Sequence, residues 1–347
     1  MSSFHTLSVK SIIRQTPKAV QIIFNIPEEL KDQFQYEAGQ YVTLSAHIDG
    51  EEVRRSYSIC SAQNEDLSVA VKAIEDGVFS NYVNTTLKEN DTLEVMPPEG
   101  HFVVDNLAAT SHYCAFAAGS GITPVMSMLK SILSSNDTSK FVLVYGNKTP
   151  EETIFYKEIN DLQAQYPDRF FVEYIFSQSR EDNARFGRIE KPIINFTTKN
   201  KYSDIDFTEY FLCGPEEMIN HTKEVLLENG VDANRIKFEL FYSSAEANED
   251  ITSDGTTHLS VIVDDETHEL VMQKDELVLD AILKQDIDVP YSCQGGVCSS
   301  CIAIVKEGKA LMQKNQILTD SEVAEGLILT CQAVPQSSKL VVDYDDV

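Results

Sequence analysis

The sequence predicts a multidomain chain: a small antiparallel β-barrel, then an α/β domain with a parallel sheet, then a C-terminal domain organised around clustered cysteines. Three observations carry this. Residues 1–105 are a succession of short β-rich runs broken by turns, residues 106–241 alternate strand-like with helix-like runs, and "PYSCQGGVCSSC" places three of the chain's seven cysteines within nine positions. Length agrees, because 347 residues suit two or three domains, each able to bury its own core without covalent staples.

Composition narrows the function. With 28 Lys+Arg against 55 Asp+Glu the formal charge is −27, which excludes nucleic acid as a partner, since phosphate binding needs a basic patch. Two readings of the acidity remain, a solvated surface that keeps the chain soluble or a field that steers it to a basic protein partner. The start "MSSFHTLSVKSIIRQT" has no basic segment followed by an apolar run, and nowhere do 18 apolar residues follow one another. No membrane association is expected, and the location expected is cytoplasmic. There disulfides are rare, and clustered cysteines bind metal or do redox chemistry.

The barrel is read from "HTLSVKSIIR", "AVQIIFNI", "QYVTLSAHI", "SYSIC", "LSVAVKAI" and "DTLEVMPP", short strands at even spacing. Beyond residue 105, "YCAFAAG" leads into "PVMSMLKSIL", "KFVLVYG" into "EETIFYKEINDLQAQY", "FFVEYIFS" into a loop and "EYFLCG" into "PEEMINHTKEVLLENG". Such alternation with short connections is the pattern of a parallel sheet flanked by helices. Residues 242–257, within "YSSAEANEDITSDGTT", are small and polar, a linker by composition. After it, "HLSVIVDDETHELVM" reads as a hairpin and "ELVLDAILKQ" as a helix, opening a domain over residues 258–347.

Cys293, Cys298 and Cys301 have the spacing C-x4-C-x2-C, and Cys331 in "LILTCQAVP" supplies a fourth thiol. This is the spacing of plant-type [2Fe–2S] centres, in which four thiolates hold two irons. Gly295, Gly296, Ser292, Ser299 and Ser300 leave little bulk, so the loop can wrap a cluster with its N–H groups turned to the sulfurs. A structural zinc site is the alternative, as Cys298 and Cys301 also form a C-x2-C pair, but such sites usually combine two short-spaced couples and Cys331 stands alone.

With these ligands, residues 258–347 resemble a plant-type ferredoxin domain of the β-grasp (α+β) class. The two upstream domains resemble the ferredoxin–NADP reductase superfamily. There "RRSYSI" resembles the flavin-binding strand, which implies that Arg55 meets the flavin phosphates, Tyr57 packs on the isoalloxazine and Ser58 approaches its reactive edge, with Ser56 among the cofactor-binding residues. The chemistry is consistent, since a guanidinium can bind pyrophosphate through paired hydrogen bonds and an aromatic face covers an aromatic ring. Lys72 in "VAVKAI" follows at the family's distance, although an ordinary strand-face lysine reads equally well. Gly77 and Ser80 in "DGVFSNYV" open a helix suited to phosphate. "PPEGHF" resembles the loop near the adenosine half, which favours FAD over FMN.

Gly119, Ser120, Gly121, Ile122, Thr123 and Pro124 lie between a strand and a helix and resemble the family's G-x-G-x-x-P nucleotide loop. Cys213, Gly214 and Pro215 resemble its C-G-P motif, whose cysteine lies beside the nicotinamide; Cys60 and Cys114 read as core. Both loops fall at carboxyl ends of strands, where parallel sheets bind ligands. Ser177 and Arg180, with Ser179 between them and Lys148 and Arg185 as helpers, occupy the positions that hold a 2′-phosphate in NADP-using members. NADPH is therefore expected, with NADH as the alternative. In "KFELFYSS", the resemblance implies that Glu239 sits near the hydride path and Phe241 covers the flavin, while a buried terminal strand accounts for both equally well.

The order of the modules resembles that of oxygenase reductases over essentially the whole chain. The implied function is an NAD(P)H-dependent flavin iron–sulfur oxidoreductase passing electrons from NADPH through FAD and a [2Fe–2S] cluster to an external oxygenase component with a di-iron centre. A reductase for another hydroxylase, dioxygenase or desaturase, or a redox-sensing regulator, are the alternatives; the sequence leaves the oligomeric state open.

Overall fold

The computed structural model describes residues 4–105, 107, 110–241 and 255–347. Two compact units divide them, one of residues 4–53 and 57–241 and the other of residues 255–347 together with Arg54–Ser56; residues 242–254, most of the expected linker, lie outside the described residues.

The first unit opens with strands β1 (His5–Thr16), β2 (Ala19–Asn25), β3 (Tyr41–Ile48), β4 (Glu51–Ser58), β5 (Ser68–Lys72) and β6 (Thr92–Val95), ordered β4-β3-β6-β1-β2-β5. Strand β1 pairs antiparallel with β2 and β6, as do β2 with β5 and β3 with β6, and an antiparallel bridge between Ile59 and Val69 joins the two ends. The two ends of the sheet thus meet at this bridge, giving the expected barrel-like antiparallel sheet. Two register shifts in β1, between Val9 and Ser11 and between Arg14 and Thr16, supply the local bend that closure needs. Leu7, Ile22, Val42, Val69 and Val95 fill the interior, and helix α1 (Val78–Thr85) adds Phe79 and Val83.

The same unit continues with β7 (His112–Ala118), β8 (Lys140–Asn147), β9 (Phe170–Phe176), β10 (Ala184–Phe186), β11 (Glu209–Gly214) and β12 (Ile236–Leu240), all parallel in the order β10-β9-β8-β7-β11-β12. Helices α2 (Ile122–Ser135), α3 (Tyr156–Gln165), α4 (Lys191–Asn195) and α5 (Glu216–Glu228) lie between strands in the chain. Unbroken apolar runs such as "FVLVY" are what a strand covered on both faces requires. The loop expected after β9 returns as the short edge strand β10. Barrel and parallel sheet share a core, in which Ala38, Cys60 and Phe102 pack with Val125, Met128 and Phe211. The Ser127 hydroxyl donates to the Ser61 carbonyl at 2.7 Å, and buried Lys130 pairs with Glu65 at 2.6 Å and Glu158 at 3.3 Å.

The second unit contains β13 (Thr256–Val263), β14 (Glu266–Gln273), α6 (Val278–Leu283), β15 (Ile302–Glu307), β16 (Ala310–Met312), α7 (Asp320–Ala324), β17 (Leu327–Leu329), β18 (Ala333–Pro335) and β19 (Lys339–Asp343). The five-stranded order is β14-β13-β19-β15-β17, with β13 and β19 parallel and the other neighbours antiparallel; β16 and β18 form a separate pair. Val278, Leu279 and Ile282 of α6 complete its core against Leu259 and Val342, giving the expected β-grasp arrangement. Strand β13 begins at Thr256, so the last two linker positions are already strand.

Candidate active site and iron–sulfur centre

After β7 the chain turns to one side of the sheet through β8, and the later β11 joins β7 on its other side. Loops that follow two such strands diverge and leave a crevice between them. Both nucleotide motifs lie there. Gly119–Gly121 makes a 3₁₀ turn between β7 and α2, and Cys213–Gly214 ends β11. A Cβ on Gly121 would stand 2.2 Å from the Cys213 carbonyl oxygen and 2.4 Å from its carbon, so only glycine lets the two loops touch. Gly119, at φ +56°, faces open space.

The crevice opens into a cavity of about 860 Å³ lined by Gly119, Ser120, Gly214 and Pro215, with Asn147 and Lys148 from the end of β8. Its volume and backbone-lined floor fit a dinucleotide. Ser177 and Phe241 line it as well. Gly121, Thr123 and Pro124 do not; they shape the loop from behind, the Thr123 hydroxyl donating to the Ser120 carbonyl at 3.1 Å.

The basic groups differ from expectation. Arg180 does not line the cavity, because its guanidinium lies 4.4 Å over the Phe186 ring. Arg185 is taken up by Glu173 at 3.9 Å and by the Phe196 ring at 3.7 Å. Arg188, which sequence reasoning missed, lines the cavity together with Lys148 and Lys191, although Lys191 is paired to Glu228 at 2.6 Å. The signal was present in "FGRIEKP", directly after β10. Lys72 closes β5 and also lines this cavity, where burial lowers its pKa and Glu152 opposes that shift.

A second group of residues adjoins the crevice. Glu239 on β12 is the register partner of Cys213 on β11, and the Ser58 hydroxyl, at the end of barrel strand β4, donates to Glu239 Oε2 at 3.1 Å. Burial pushes the Glu239 carboxyl up to about 8, against the lowering effect of the Ser58 hydrogen bond. Burial also raises the Cys213 thiol well above its ordinary range, so this sulfur is a neutral packing group and not a thiolate. Ser58 at the end of a barrel strand is thus hydrogen-bonded to Glu239, which stands beside Cys213 in the parallel sheet.

On the barrel, Tyr57 is half-buried with its ring 5.8 Å from that of Phe79. Arg55 and Ser56 precede it on β4, the Arg55 guanidinium donating to the Arg54 carbonyl at 2.6 Å. Gly77 caps α1, whose first helical bond runs from Asn81 N–H to the Gly77 carbonyl at 3.0 Å. The preceding N–H groups of the helix have no intrahelical acceptor, which suits a phosphate. The Ser80 side chain closes the turn, accepting from Ile74 N–H and donating to the Gly77 carbonyl, both at 3.3 Å, so Ser80 offers its backbone and not its hydroxyl.

In the second unit, Cys298, Cys301 and Cys331 are buried and Cys293 is half-buried in one loop region. Contacts run in series, Cys298 to Cys293, Cys293 to Cys331 and Cys331 to Cys301. Thiols donating from Cys298 and then Cys331 hold Cys293 as a thiolate, down to about 2, with Gly295 N–H adding a bond at 3.3 Å. Four thiols brought together in series fit the binuclear cluster that their spacing implies. Gly296, at φ +73°, is needed for the wrap, since a Cβ there would meet Gln332 Cγ at 2.9 Å and the Lys314 carbonyl at 3.1 Å.

Three family models match in the same order: an oxidoreductase FAD-binding domain over residues 7–104, an oxidoreductase NAD-binding domain over 116–224 and a 2Fe-2S iron-sulfur cluster binding domain over 261–336. The chain is 38% identical to a subunit of the 1,2-phenylacetyl-CoA epoxidase of Escherichia coli (strain K12), covering 99% of each chain. It is 33% identical to the ferredoxin reductase component of 3-ketosteroid-9-alpha-monooxygenase from Rhodococcus rhodochrous, covering 97% of this chain and 96% of that one. The solved structure of phthalate dioxygenase reductase superposes with a TM-score of 0.62 at 22% identity over 98% of both chains, which shows the shared fold. No helix among the described residues is long and apolar enough to cross a membrane. The chain therefore belongs to the ferredoxin reductase components of oxygenase systems, as an NAD(P)H-dependent oxidoreductase with FAD-binding, NAD-binding and [2Fe–2S]-binding domains in that order.

Proposed function

We propose that this chain is the reductase of a phenylacetyl-CoA epoxidase, taking electrons from NADPH and delivering them in the cytoplasm to a di-iron oxygenase partner. Support for the substrate system comes from the 38% identity over both full lengths to the epoxidase subunit, against 33% for the steroid monooxygenase reductase. The observation that carries the chemistry is the hydrogen bond from barrel Ser58 to Glu239 beside Cys213, which joins the flavin-binding strand to the nicotinamide end of the nucleotide crevice.

When bound, NADPH and FAD would supply two-electron hydride chemistry and the cluster one-electron chemistry. The chain's own residues do the positioning. Gly119, Ser120 and the Gly214–Pro215 turn would receive the pyrophosphate and nicotinamide halves, with Lys148, Ser177 and Arg188 toward the 2′-phosphate. Tyr57 would cover the flavin ring and the N-terminal turn of α1 would take its phosphate. The Ser58 hydroxyl donates to Oε2 and so orients the Glu239 carboxyl, whose burial favours the protonated form near neutral pH, while the neutral Cys213 side chain excludes water from the crevice. Cys293, Cys298, Cys301 and Cys331 would hold the cluster.

Anaerobic titration with NADPH and then NADH, followed by absorbance and EPR, tests the electron path and the cofactor preference together. Reconstitution with a phenylacetyl-CoA epoxidase and, separately, with a steroid hydroxylase tests the partner. Turnover with the second and none with the first overturns the substrate assignment. Slow, single-turnover reduction without steady NADPH oxidation would instead favour a redox-sensing role.

A further inference from the structure

Thr330 immediately precedes the cluster ligand Cys331, and each of its polar groups is engaged. Its N–H donates to the Cys301 carbonyl at 3.1 Å, its hydroxyl donates to the same carbonyl at 3.0 Å, and its own carbonyl accepts from Leu279 N–H in α6 at 3.0 Å. Because that hydroxyl proton is committed to Cys301, Oγ1 is left as an acceptor. Tyr344, just beyond β19, donates its phenol to Thr330 Oγ1 at 2.8 Å. Tyr344, Thr330, Cys301 and Cys331 are all nearly or fully buried, so water does not compete for these bonds. Tyr344 is itself fixed, its N–H donating to the Ile262 carbonyl at 2.9 Å.

We propose that Tyr344 is a positioning residue for the iron–sulfur centre: through Thr330 it fixes a directed hydrogen-bond relay onto the Cys301 carbonyl and so sets the geometry and potential of the Cys301–Cys331 side of the cluster. No local sequence pattern marks either residue. They lie 29 and 43 positions from Cys301, and β19 brings Tyr344 back from near the end of the chain. The physical basis is twofold. The double hydrogen bond clamps two ligand-bearing segments together, and donors in series polarise one another in a dry environment. Hydrogen bonding around a cluster and its exposure to solvent tune its potential. Losing the phenol leaves the Cys301 carbonyl less neutralised, which disfavours adding an electron nearby. The inference rests on the [2Fe–2S] domain and is independent of the oxygenase partner.

The test uses the full chain with its cofactors and compares Tyr344→Phe, Thr330→Val, Thr330→Ser and the double variant Tyr344→Phe/Thr330→Val. Readouts are iron content, cluster midpoint potential, EPR g values and thermal midpoint. Tyr344→Phe and Thr330→Val are expected to keep the wild-type iron content, move the potential to a more negative value and alter the g anisotropy. Thr330→Ser retains the hydroxyl and should restore the wild-type signature. The double variant should shift no further than Thr330→Val alone, because Tyr344 acts through Thr330. Wild-type potential and g values with only a lowered thermal midpoint would make Tyr344 a packing residue and overturn the proposal, as would additive shifts. If a variant loses iron, an unchanged thermal midpoint of the iron-free chain supports positioning, and a lowered one overturns it.

Discussion

Replacing Gly121 by alanine separates nucleotide positioning from every other function of the chain. The added Cβ would lie 2.2 Å from the Cys213 carbonyl oxygen, 2.4 Å from its carbon and 2.7 Å from Gly214 N, all backbone atoms of β11. No rotamer change relieves such contacts. Bringing them to ordinary van der Waals separation requires a loop shift of about 1 Å, and a misplacement of that size costs on the order of 10²-fold in rate. Overpacking of this kind also destabilises by about 1–3 kcal/mol. Gly119→Ala is the matched control, since its Cβ meets nothing within 4 Å and its φ of +56° leaves only backbone strain of about 1–2 kcal/mol. Stopped-flow flavin reduction by NADPH should therefore fall about 100-fold in Gly121→Ala and far less in Gly119→Ala, while chemical reduction of the cluster proceeds normally in both. Wild-type hydride transfer in Gly121→Ala, or an equal loss in the two variants, refutes the argument.

Three further outcomes are expected. The Glu239 carboxyl, raised to about 8 in the folded chain, binds more protons there than when unfolded, so its contribution lowers stability as pH rises from the ordinary glutamate range to about 8 and is constant above; the difference between wild-type and Glu239→Gln thermal midpoints, measured across that window without nucleotide, should follow this trend, and a pH-independent difference counts against it. Arg188→Ala should raise the KM for NADPH about 10-fold to 100-fold, the range of a lost charge-assisted bond of about 1.5–3 kcal/mol, while the KM for NADH stays near wild type; equal effects on both would place Arg188 outside the 2′-phosphate site. Cys331→Ser should abolish the cluster's EPR signal and the NADPH-driven reduction of cytochrome c yet preserve flavin reduction by NADPH, and a retained cluster signal would remove Cys331 from the ligand set.

The differences between sequence and structure fall where contacts span long stretches of chain. "FSQSRED" made Arg180 a natural phosphate ligand by position, but the side chain turns onto Phe186, and Arg188, eight residues on, faces the cavity instead. Nothing in local spacing distinguishes two arginines on either side of a short edge strand, because their directions depend on how β10 pairs with β9. Lys72 is similar. Its place on "VAVKAI" was legible, whereas its position on the nucleotide cavity depends on how the barrel packs on the parallel sheet. Ser80 stood at the right helix start for phosphate, but its hydroxyl is spent within its own turn.

By itself the sequence determined the order of barrel, parallel sheet and cysteine-bearing domain, the spacing of four thiols within the last of these and the two loops of the nucleotide crevice. All of these are written in short-range pattern: strand and helix periods, glycines where a Cβ has no room, and thiols at fixed spacing. Only the tertiary structure decided that Ser58, Glu239 and Cys213 meet, that Arg188 and not Arg180 faces the cavity, and that Tyr344 reaches Thr330 behind Cys301. Each is a convergence of residues distant in the chain, fixed by sheet order and register and by the burial that makes one alternative contact cheaper than another.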